Sequence, residues 1–218
     1  MTPAGQACEL AHWLRLGRTP GVGPETARKL LRAFGLPAQI FDADLPALMQ
    51  VVPERVARAL TAPLDDDAHA LIDRTLEWAS RPGNAVVTLA DDAYPRALLD
   101  IADPPLLLHL KGRPDLLPAP SVAVVGSRNA TAQGMLNAEQ FSEALSDAGL
   151  TIVSGLALGI DAAAHRGGLR GVGSTIAVIG TGADIAYPAR NRNLAQEIAE
   201  NGCIVSEYPL GMPAIAAN

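Results

Sequence analysis

Three glycine turns contain the residues of this sequence that are best suited to binding an anion. They are 124–131 (VVGSRNAT), 153–161 (VSGLALGID) and 178–193 (VIGTGADIAYPARNRN). In each turn a glycine occupies the first position after a predicted strand, and glycine lets the backbone approach a ligand closely. Backbone N–H groups, hydroxyls and forked guanidinium donors are the groups that bind phosphate. The residues that could form such a site are Gly126, Ser127, Arg128, Thr131, Ser154, Gly155, Gly180, Thr181, Arg190 and Arg192.

The distribution of charge favours an anion site in these turns. The chain of 218 residues has 17 Lys and Arg against 23 Asp and Glu, a formal net charge of −6. This balance excludes a protein that coats nucleic acid through its overall charge, but it allows a local basic site. The alternative is that the arginines of the turns cap helices or pair with Asp161, Asp184 and Glu207. After Pro120 the basic residues besides His165 are all arginines, three of them in the turns: Arg128, Arg166, Arg170, Arg190 and Arg192.

Several motifs that would indicate catalysis are incomplete or missing. Residues 180–185 (GTGADI) lack the third glycine of a dinucleotide fingerprint, and no GK[ST] phosphate loop occurs. Ser154, Asp161 and His165 could form a nucleophilic trio, but Ser154 lacks the G-x-S-x-G elbow. We favour a structural reading, in which Asp161 braces its turn and His165 is satisfied internally. The missing motifs argue against nicotinamide or ATP chemistry. Residues 65–67 (DDD) fit a solvated helix start better than a metal site, so we predict no metal.

The elements that must position these turns fall into two regions. Residues 1–80 are rich in Ala, Leu and Arg at helical spacing, which predicts a small all-helical domain. Residues 121–208 alternate apolar strands with helices, which predicts that 84–218 form an α/β domain with a parallel sheet covered by helices on both faces. Right-handed crossovers would bring all the strand-to-helix turns to one edge of that sheet. For the helix within 137–149 we expect Phe141, Leu145 and Ala148 to face inward.

The cysteines and the apolar runs bear on where the protein acts. Cys8 and Cys203 are too far apart in sequence for a disulfide framework or a zinc spacing. No apolar run is long enough for a bilayer, and the first ten residues (MTPAGQACEL) do not have the composition of a secretory signal. We therefore expect a cytoplasmic protein that does not contact membranes.

A longer series of motifs resembles the DprA (Smf) family, the DNA-processing proteins of natural transformation. The matching segments occur in order and cover most of residues 94–214: YPRALLDIADPPLLLHLKG, VAVVGSR, IVSGLALGIDAAAHRGGL, TIAVIGTGADIAYPARNRNLAQEI and GCIVSEYPLGMPA. The resemblance implies an extended Rossmann-like domain that binds single-stranded DNA in a positively charged pocket. It also implies a protein that protects incoming DNA, loads the RecA recombinase and commonly forms homodimers, without catalysis or a nucleotide cofactor.

The same resemblance assigns roles to individual positions. It implies that Arg128 binds phosphate and that Gly126, Ser127, Ser154, Gly155, Gly180 and Gly182 line the pocket. It also implies that Arg190, Asn191 and Arg192, which follow the YP motif, lie close by. Many members have a basic residue where this chain has Leu158, and the chain stops before the phenylalanine-proline and RNR motifs of the family. We expect either a fragment or a rearranged member.

The helical region is similar to the SAM-like domain of many family members. Its segment 20–31 (PGVGPETARKLL) also resembles a helix-hairpin-helix, whose glycine turn contacts DNA phosphates, with Arg18, Arg28, Lys29 and Arg32 nearby. A plain connector between helices explains the segment equally well.

Two other functions are open at this point. One is a nucleotide-processing hydrolase of the lysine-decarboxylase-like Rossmann group, although its P-G-G-x-G-T-x-x-E signature is missing here. The other is an interaction scaffold for RecA with little affinity for DNA.

Overall fold

The computed structural model describes residues 3–214, so the last four residues of the predicted α/β region lie outside the described residues. The chain divides into two compact units near Ser80. We refer to them as the helical unit and the α/β unit. Residues 88–91 and 97–107, which we assigned to the α/β region, group with the helical unit.

The helical unit is built on amphipathic helices around an apolar core. Trp13, Leu16 and Leu30 are fully buried, as their helical spacing predicts, and Ile40 of the next helix is buried with them. No helix within residues 3–214 is long and apolar enough to span a bilayer. The helices are α1 (Pro3–Arg18), α2 (Pro24–Phe34), α3 (Pro37–Asp42), α4 (Leu45–Met49), α5 (Glu54–Thr61) and α6 (Asp66–Ala79).

Capping residues define where these helices begin and end. Pro24 occupies the first position of α2, and Gly35 ends the helix with φ of 92°, a left-handed conformation that suits glycine. Asp44 and Asp65 accept hydrogen bonds from backbone N–H groups in the first turns of α4 and α6. The aspartate run 65–67 thus starts a helix, as its composition predicts.

The α/β unit is organised by a six-stranded sheet in the order β1-β2-β6-β5-β4-β3. The strands β3 to β6 are parallel neighbours, whereas β2 runs antiparallel to β6. The predicted α/β class, with a mostly parallel sheet preceded by a helical region, is confirmed. The strands are β1 (Asn84–Thr88), β2 (Leu107–Gly112), β3 (Ser121–Ala123), β4 (Thr151–Ser154), β5 (Thr175–Val178) and β6 (Cys203–Ser206).

Three helices connect the parallel strands. They are α8 (Ala132–Asp147), α9 (Ile160–Arg170) and α10 (Arg192–Asn201), and a short α7 (Arg96–Leu99) lies between β1 and β2. The central helix α9 packs against both α8 and α10, so the three form one layer on the sheet. Successive right-handed crossovers in one direction produce this arrangement. These three helices therefore cover one face of the sheet, and they do not provide the cover that we predicted for its other face.

The inward face of α8 differs from our expectation. Phe141 is 66% exposed, Ala148 is exposed and Leu145 is only partly buried. The buried side chains are instead Ala138, Ser142 and Ser146. A Cβ added at Gly167 of α9 would collide with the carbonyl oxygen of Glu139 in α8. The two helices approach so closely that only small side chains fit between them.

Strand β3 is shorter and more exposed than we predicted. It covers only three residues, and Ser121 and Ala123 are exposed. Val125, which continues the apolar run, is 73% exposed. The prediction that the apolar strands are buried on both faces is wrong here, because β3 is the edge strand of the sheet formed by residues 3–214 and has β4 as its one neighbour there.

Candidate functional site

A cavity of about 650 Å³ at the carboxyl edge of the sheet contains residues from all three predicted turns. Arg128 follows β3, Gly155 follows β4 and Gly180 follows β5. Because these strands are parallel, their carboxyl ends meet at one edge, as the alternation of strands and helices predicts. We call this space the edge cavity. Its other lining residues are Ala157, Leu158, Ile179, Thr181, Tyr187, Pro188 and Ala214.

Arg128 is the charged residue of the edge cavity. Its side chain is exposed, and no hydrogen bond or ion pair of its guanidinium joins it to another described residue. Asp161 and Asp184, which we considered as partners, accept hydrogen bonds from backbone N–H groups instead. The positive charge of Arg128 is therefore available to a ligand.

The backbone around Arg128 is fixed by the loop 155–160. The N–H of Ile160 donates to the carbonyl oxygen of Ser127 at 3.2 Å. Gly159 has φ of 78°, and a Cβ there would collide with that same carbonyl and with the backbone of Arg128. On the other side, a Cβ at Gly126 would approach the Ile160 side chain to 2.7 Å. Glycine is needed at Gly159 because the two segments touch there through their backbones, and at Gly126 because the Ile160 side chain packs against it.

The turn Gly155–Ala157 uses its own polar groups internally. The Asp161 carboxylate accepts from the N–H groups of Gly155 and Ala157, at 3.1 and 3.4 Å. The Nε2 of His165 accepts from the N–H of Leu156 at 3.2 Å. These N–H groups, which we expected to face a phosphate, are thus bound within the protein. Asp161 braces the turn, as the structural reading of the sequence proposes.

His165 is fully buried, and its surroundings define its protonation. Because Nε2 accepts a hydrogen bond, the ring proton lies on Nδ1, which donates to the Thr175 hydroxyl at 2.7 Å. Burial lowers the pKa of His165 to about 4, so the ring is neutral at pH 7. The Ser154 hydroxyl donates to the carbonyl oxygen of Val124 at 2.6 Å, not to His165. The nucleophilic trio is therefore not assembled.

The turn after β5 combines open and crowded positions. A Cβ at Gly180 would meet nothing within 4 Å, whereas one at Gly182 would come within 2.7 Å of the Pro209 carbonyl oxygen. The N–H of Gly182 donates to the carbonyl of Met212. Thr181 is 2% exposed, and its hydroxyl donates to the carbonyl of Ile185. Of these residues, Gly180 is the one that leaves space for a ligand.

Ser127 and Asn191 also differ from simple phosphate donors. The Ser127 hydroxyl oxygen accepts from the N–H of Asn129 at 3.1 Å, although the residue remains exposed. Asn191 is 5% exposed, and its amide group donates to the carbonyls of Leu156 and Ala157 at 2.9 and 3.1 Å. Asn191 therefore contacts the turn that lines the edge cavity, while its own donors are occupied.

Arg190 and Arg192 do not line the edge cavity, although we expected them close to Arg128. Arg192 begins α10 and lines a cavity of about 440 Å³ together with Lys111. Arg190 lines another, of about 460 Å³, together with Arg166. Arg190 lies in a 3₁₀ turn (Ala189–Asn191) and Arg192 in α10, which follows it, so the two side chains line different cavities. The sequence places these arginines near one another but does not show that they face different spaces.

Tyr187 is a lining residue that our sequence reasoning did not select. Its side chain is 57% exposed at the edge cavity, beside Pro188. The signal for it was present, because Tyr187 is one of only three aromatic residues after residue 120. Within residues 3–214, no group of three or more His, Cys, Asp and Glu is arranged to hold a metal ion. The site offers a guanidinium, an aromatic ring and an open glycine backbone.

Family models match both units. A model described as DNA recombination-mediator protein A matches residues 85–218, and one described as a DprA-like N-terminal HHH domain matches residues 8–69. Among curated relatives, Protein Smf of Synechocystis is 39% identical over 208 residues, which are 93% of this chain and 52% of that protein. DNA processing protein DprA of Streptococcus pneumoniae is 45% identical over 146 residues, 67% of this chain and 49% of that protein. The chain thus spans about half the length of these relatives.

Solved structures show the same relationship. The crystal structure of DNA processing protein A from S. pneumoniae superimposes with a TM-score of 0.74 at 34% identity, covering 99% of this chain and 71% of that one. DNA processing protein A from Helicobacter pylori, a structure reported for its single-stranded DNA binding mode, matches with a TM-score of 0.54 at 32% identity over 61% of this chain and 59% of that one. Since a family model covers more than half of its length and the relatives share its fold, the chain belongs to the DprA (Smf) family.

Proposed function

We propose that this chain binds single-stranded DNA at the edge cavity, with Arg128 contacting a backbone phosphate. The observation that carries the proposal is an exposed arginine that has no partner among residues 3–214, in a cavity of about 650 Å³ and in a chain with a net charge of −6. A guanidinium kept free in an acidic protein has a ligand of opposite charge as its natural partner. The H. pylori relative, whose structure describes binding to single-stranded DNA, supports the choice of polynucleotide.

The composition of the cavity favours an unpaired strand over a duplex. Exposed bases of a single strand can stack on an aromatic ring, and Tyr187 offers one beside the Arg128 charge. The other lining side chains are mostly small or apolar, with few groups that could read base edges. We therefore expect binding with little sequence preference, based on phosphate contacts and stacking.

The action that follows from binding is proposed on family grounds. The model that matches residues 85–218 is described as a recombination mediator, which supports loading of the RecA recombinase onto a protected strand during natural transformation. RecA as a partner, a homodimer and a cytoplasmic location belong to the same proposal. RecA captured equally well by a variant without DNA affinity would favour the scaffold alternative.

We propose that the chain acts by binding and not by catalysis. In support, Ser154 and His165 make hydrogen bonds to different groups, and Asp161 is occupied by backbone N–H groups. None of the three offers a reactive atom to the edge cavity in this arrangement.

Fluorescence anisotropy with single- and double-stranded oligonucleotides at several salt concentrations tests the proposal. We expect tighter binding of the single strand, and a loss of affinity of at least tenfold, on the order of 1.4 kcal/mol, for Arg128→Ala. The log-log salt slope of that variant should be shallower by about 0.7, the contribution of one phosphate on a single strand.

The matched control is Arg113→Ala. Arg113 is exposed in the same unit and forms an ion pair with Asp115 at 2.7 Å. Its substitution changes the net charge by the same amount but leaves the lining of the edge cavity intact. Equal losses for both variants would show that only the overall charge matters, and would overturn the proposed site.

A further inference from the structure

Loop 155–160 connects a group of buried polar side chains to the backbone of Arg128. Asp161, His165 and Asn191 are each at most 6% exposed, and all three bind the turn Gly155–Ala157. The far end of the loop contacts Ser127 and Arg128 through Gly159 and Ile160. The loop is thus held at one end by side chains and holds the Arg128 segment at the other.

The hydrogen bonds leave the turn little freedom. Its three N–H groups are taken by Asp161 and His165, and two of its carbonyls by Asn191. Leu156, at the centre, has φ of 57° and is 1% exposed, a left-handed conformation that the surrounding bonds must maintain. Buried polar groups that are all satisfied define one conformation, because any alternative would leave donors or acceptors unpaired.

Asn191 differs from the other two because it comes from a distant element. Asp161 and His165 lie on α9, directly after the loop, whereas Asn191 precedes α10 and reaches the turn across 35 and 34 positions of sequence. Its own N–H donates to the carbonyl of Pro188, which also lines the edge cavity. Asn191 therefore joins the two sides of the cavity, the turn after β4 and the segment that carries Tyr187.

We infer that Asn191 is a positioning residue for single-stranded DNA: its amide holds loop 155–160, and this loop fixes the backbone from which Arg128 reaches the ligand. The inference rests on the proposed function and gives a role to a residue that the family resemblance places close to the DNA-binding pocket. At 5% exposure, with its amide group bound to two carbonyls, Asn191 has no free donor for a phosphate. Its contribution to binding therefore passes through the groups that it positions, of which Arg128 is the charged one in the edge cavity.

A double-mutant cycle on DNA affinity separates positioning from contact. Asn191→Leu removes the donors at similar volume, and Asn191→Asp replaces them with oxygens that repel the two carbonyls. Each should weaken binding of a single-stranded oligonucleotide at least threefold in the wild-type background. In the Arg128→Ala background neither should weaken it further, because the group being positioned is already absent.

Asn193→Leu and Asn193→Asp are the matched controls. Asn193 lies two residues away and is exposed on α10. Its substitutions change side-chain size and charge as those of Asn191 do, but at a residue that makes no hydrogen bond to the loop. If the Asn191 substitutions reduce the affinity for DNA by the same factor in the Arg128→Ala background as in the wild type, the inference is overturned and Asn191 contacts DNA directly. Unchanged affinity in both folded Asn191 variants would also overturn it.

A second measurement needs no DNA. Nitrogen-15 relaxation of the Arg128 backbone N–H and guanidinium Nε–H in the unliganded protein should report greater motion in Asn191→Leu than in Asn193→Leu. Identical relaxation in the two variants would contradict the positioning role. If the wild-type protein does not bind oligonucleotides, the proposed function fails, while this comparison still decides whether Asn191 orders the Arg128 segment.

Discussion

Several basic side chains of the helical unit contact other groups of the protein, whereas three at the sheet edge have no such partner among the described residues. In the helical unit, Lys29 lies 2.9 Å from Glu25, and Arg28 lies 3.7 Å from Asp103. Arg15 donates to two backbone carbonyls and covers the Phe41 ring at 4.0 Å from its centroid. At the sheet edge, the guanidinium groups of Arg128, Arg190 and Arg192 make no hydrogen bond or ion pair with described residues.

Buried polar groups show the opposite distribution. The core of the helical unit is a continuous apolar cluster around Trp13 and Leu30. Beneath the edge cavity, the buried groups include Asp161, His165 and Asn191, all hydrogen-bonded to one turn. The α/β unit thus uses buried polar side chains to shape a loop, and beside that loop the charge of Arg128 has no partner among the described residues. Exposed ion pairs add little stability, so the functional difference lies in availability of charge.

The largest expected effect concerns the buried histidine. The unfolded chain takes up a proton at His165 near pH 6.5, whereas the folded chain does so only near pH 4. The free energy of unfolding therefore falls as the pH is lowered through this window, by about 3 kcal/mol from this residue. Urea denaturation at pH 7 and pH 4 should show a smaller fall in the free energy of unfolding for His165→Gln than for the wild type.

The comparison of variant with wild type is needed because burial also lowers the pKa of His109, which contributes in the same direction. That contribution is common to both proteins and cancels in the difference. An equal pH dependence for wild type and His165→Gln would show that the loop does not depend on a neutral ring.

Two glycines of one turn provide the next test. A Cβ at Gly182 would press on the Pro209 carbonyl at 2.7 Å and on the Gly211 nitrogen at 2.9 Å, so Gly182→Ala should cost about 2 kcal/mol of stability in a urea melt. Gly180→Ala, in open space, should leave stability unchanged but weaken binding of single-stranded DNA. If Gly180→Ala binds single-stranded DNA as tightly as the wild type, Gly180 does not face the ligand.

Tyr187 should contribute about fivefold to the affinity for single strands, at the lower end of what one stacked base gives. Tyr187→Ala measured by anisotropy tests this, with the thermal melting temperature as a check of folding. The control is Phe141→Ala, since Phe141 is exposed on α8 and does not line the edge cavity. Equal affinities for the two variants would remove stacking from the proposed mode of binding.

The smallest effect is expected in the helical unit itself. The double variant Arg28→Ala/Lys29→Ala should change single-strand affinity less than about twofold, because both cations already have acidic partners. Arg190→Ala/Arg192→Ala, which removes the same charge from the α/β unit, should weaken binding about threefold or more. Equal losses would favour the helix-hairpin-helix interpretation of residues 20–31.

Local sequence determined the elements and their order. Proline and glycine positions predict the limits of α2, because their backbone preferences act without help from distant residues. Alternating apolar strands and helices predict a mostly parallel sheet, and parallel strands bring Arg128, Gly155 and Gly180 to one edge. The motifs in the same turns predict the family.

Tertiary packing decided what each side chain of those elements does. Phe141 points outward because Gly167 brings α9 too close to α8 for a large side chain, a contact between residues far apart in sequence. Asn191 is bound to carbonyls 35 and 34 positions away, and Arg190 and Arg192 line separate cavities. Periodicity and motifs report which residues share an element, whereas burial and hydrogen-bond partners depend on which elements meet and how closely.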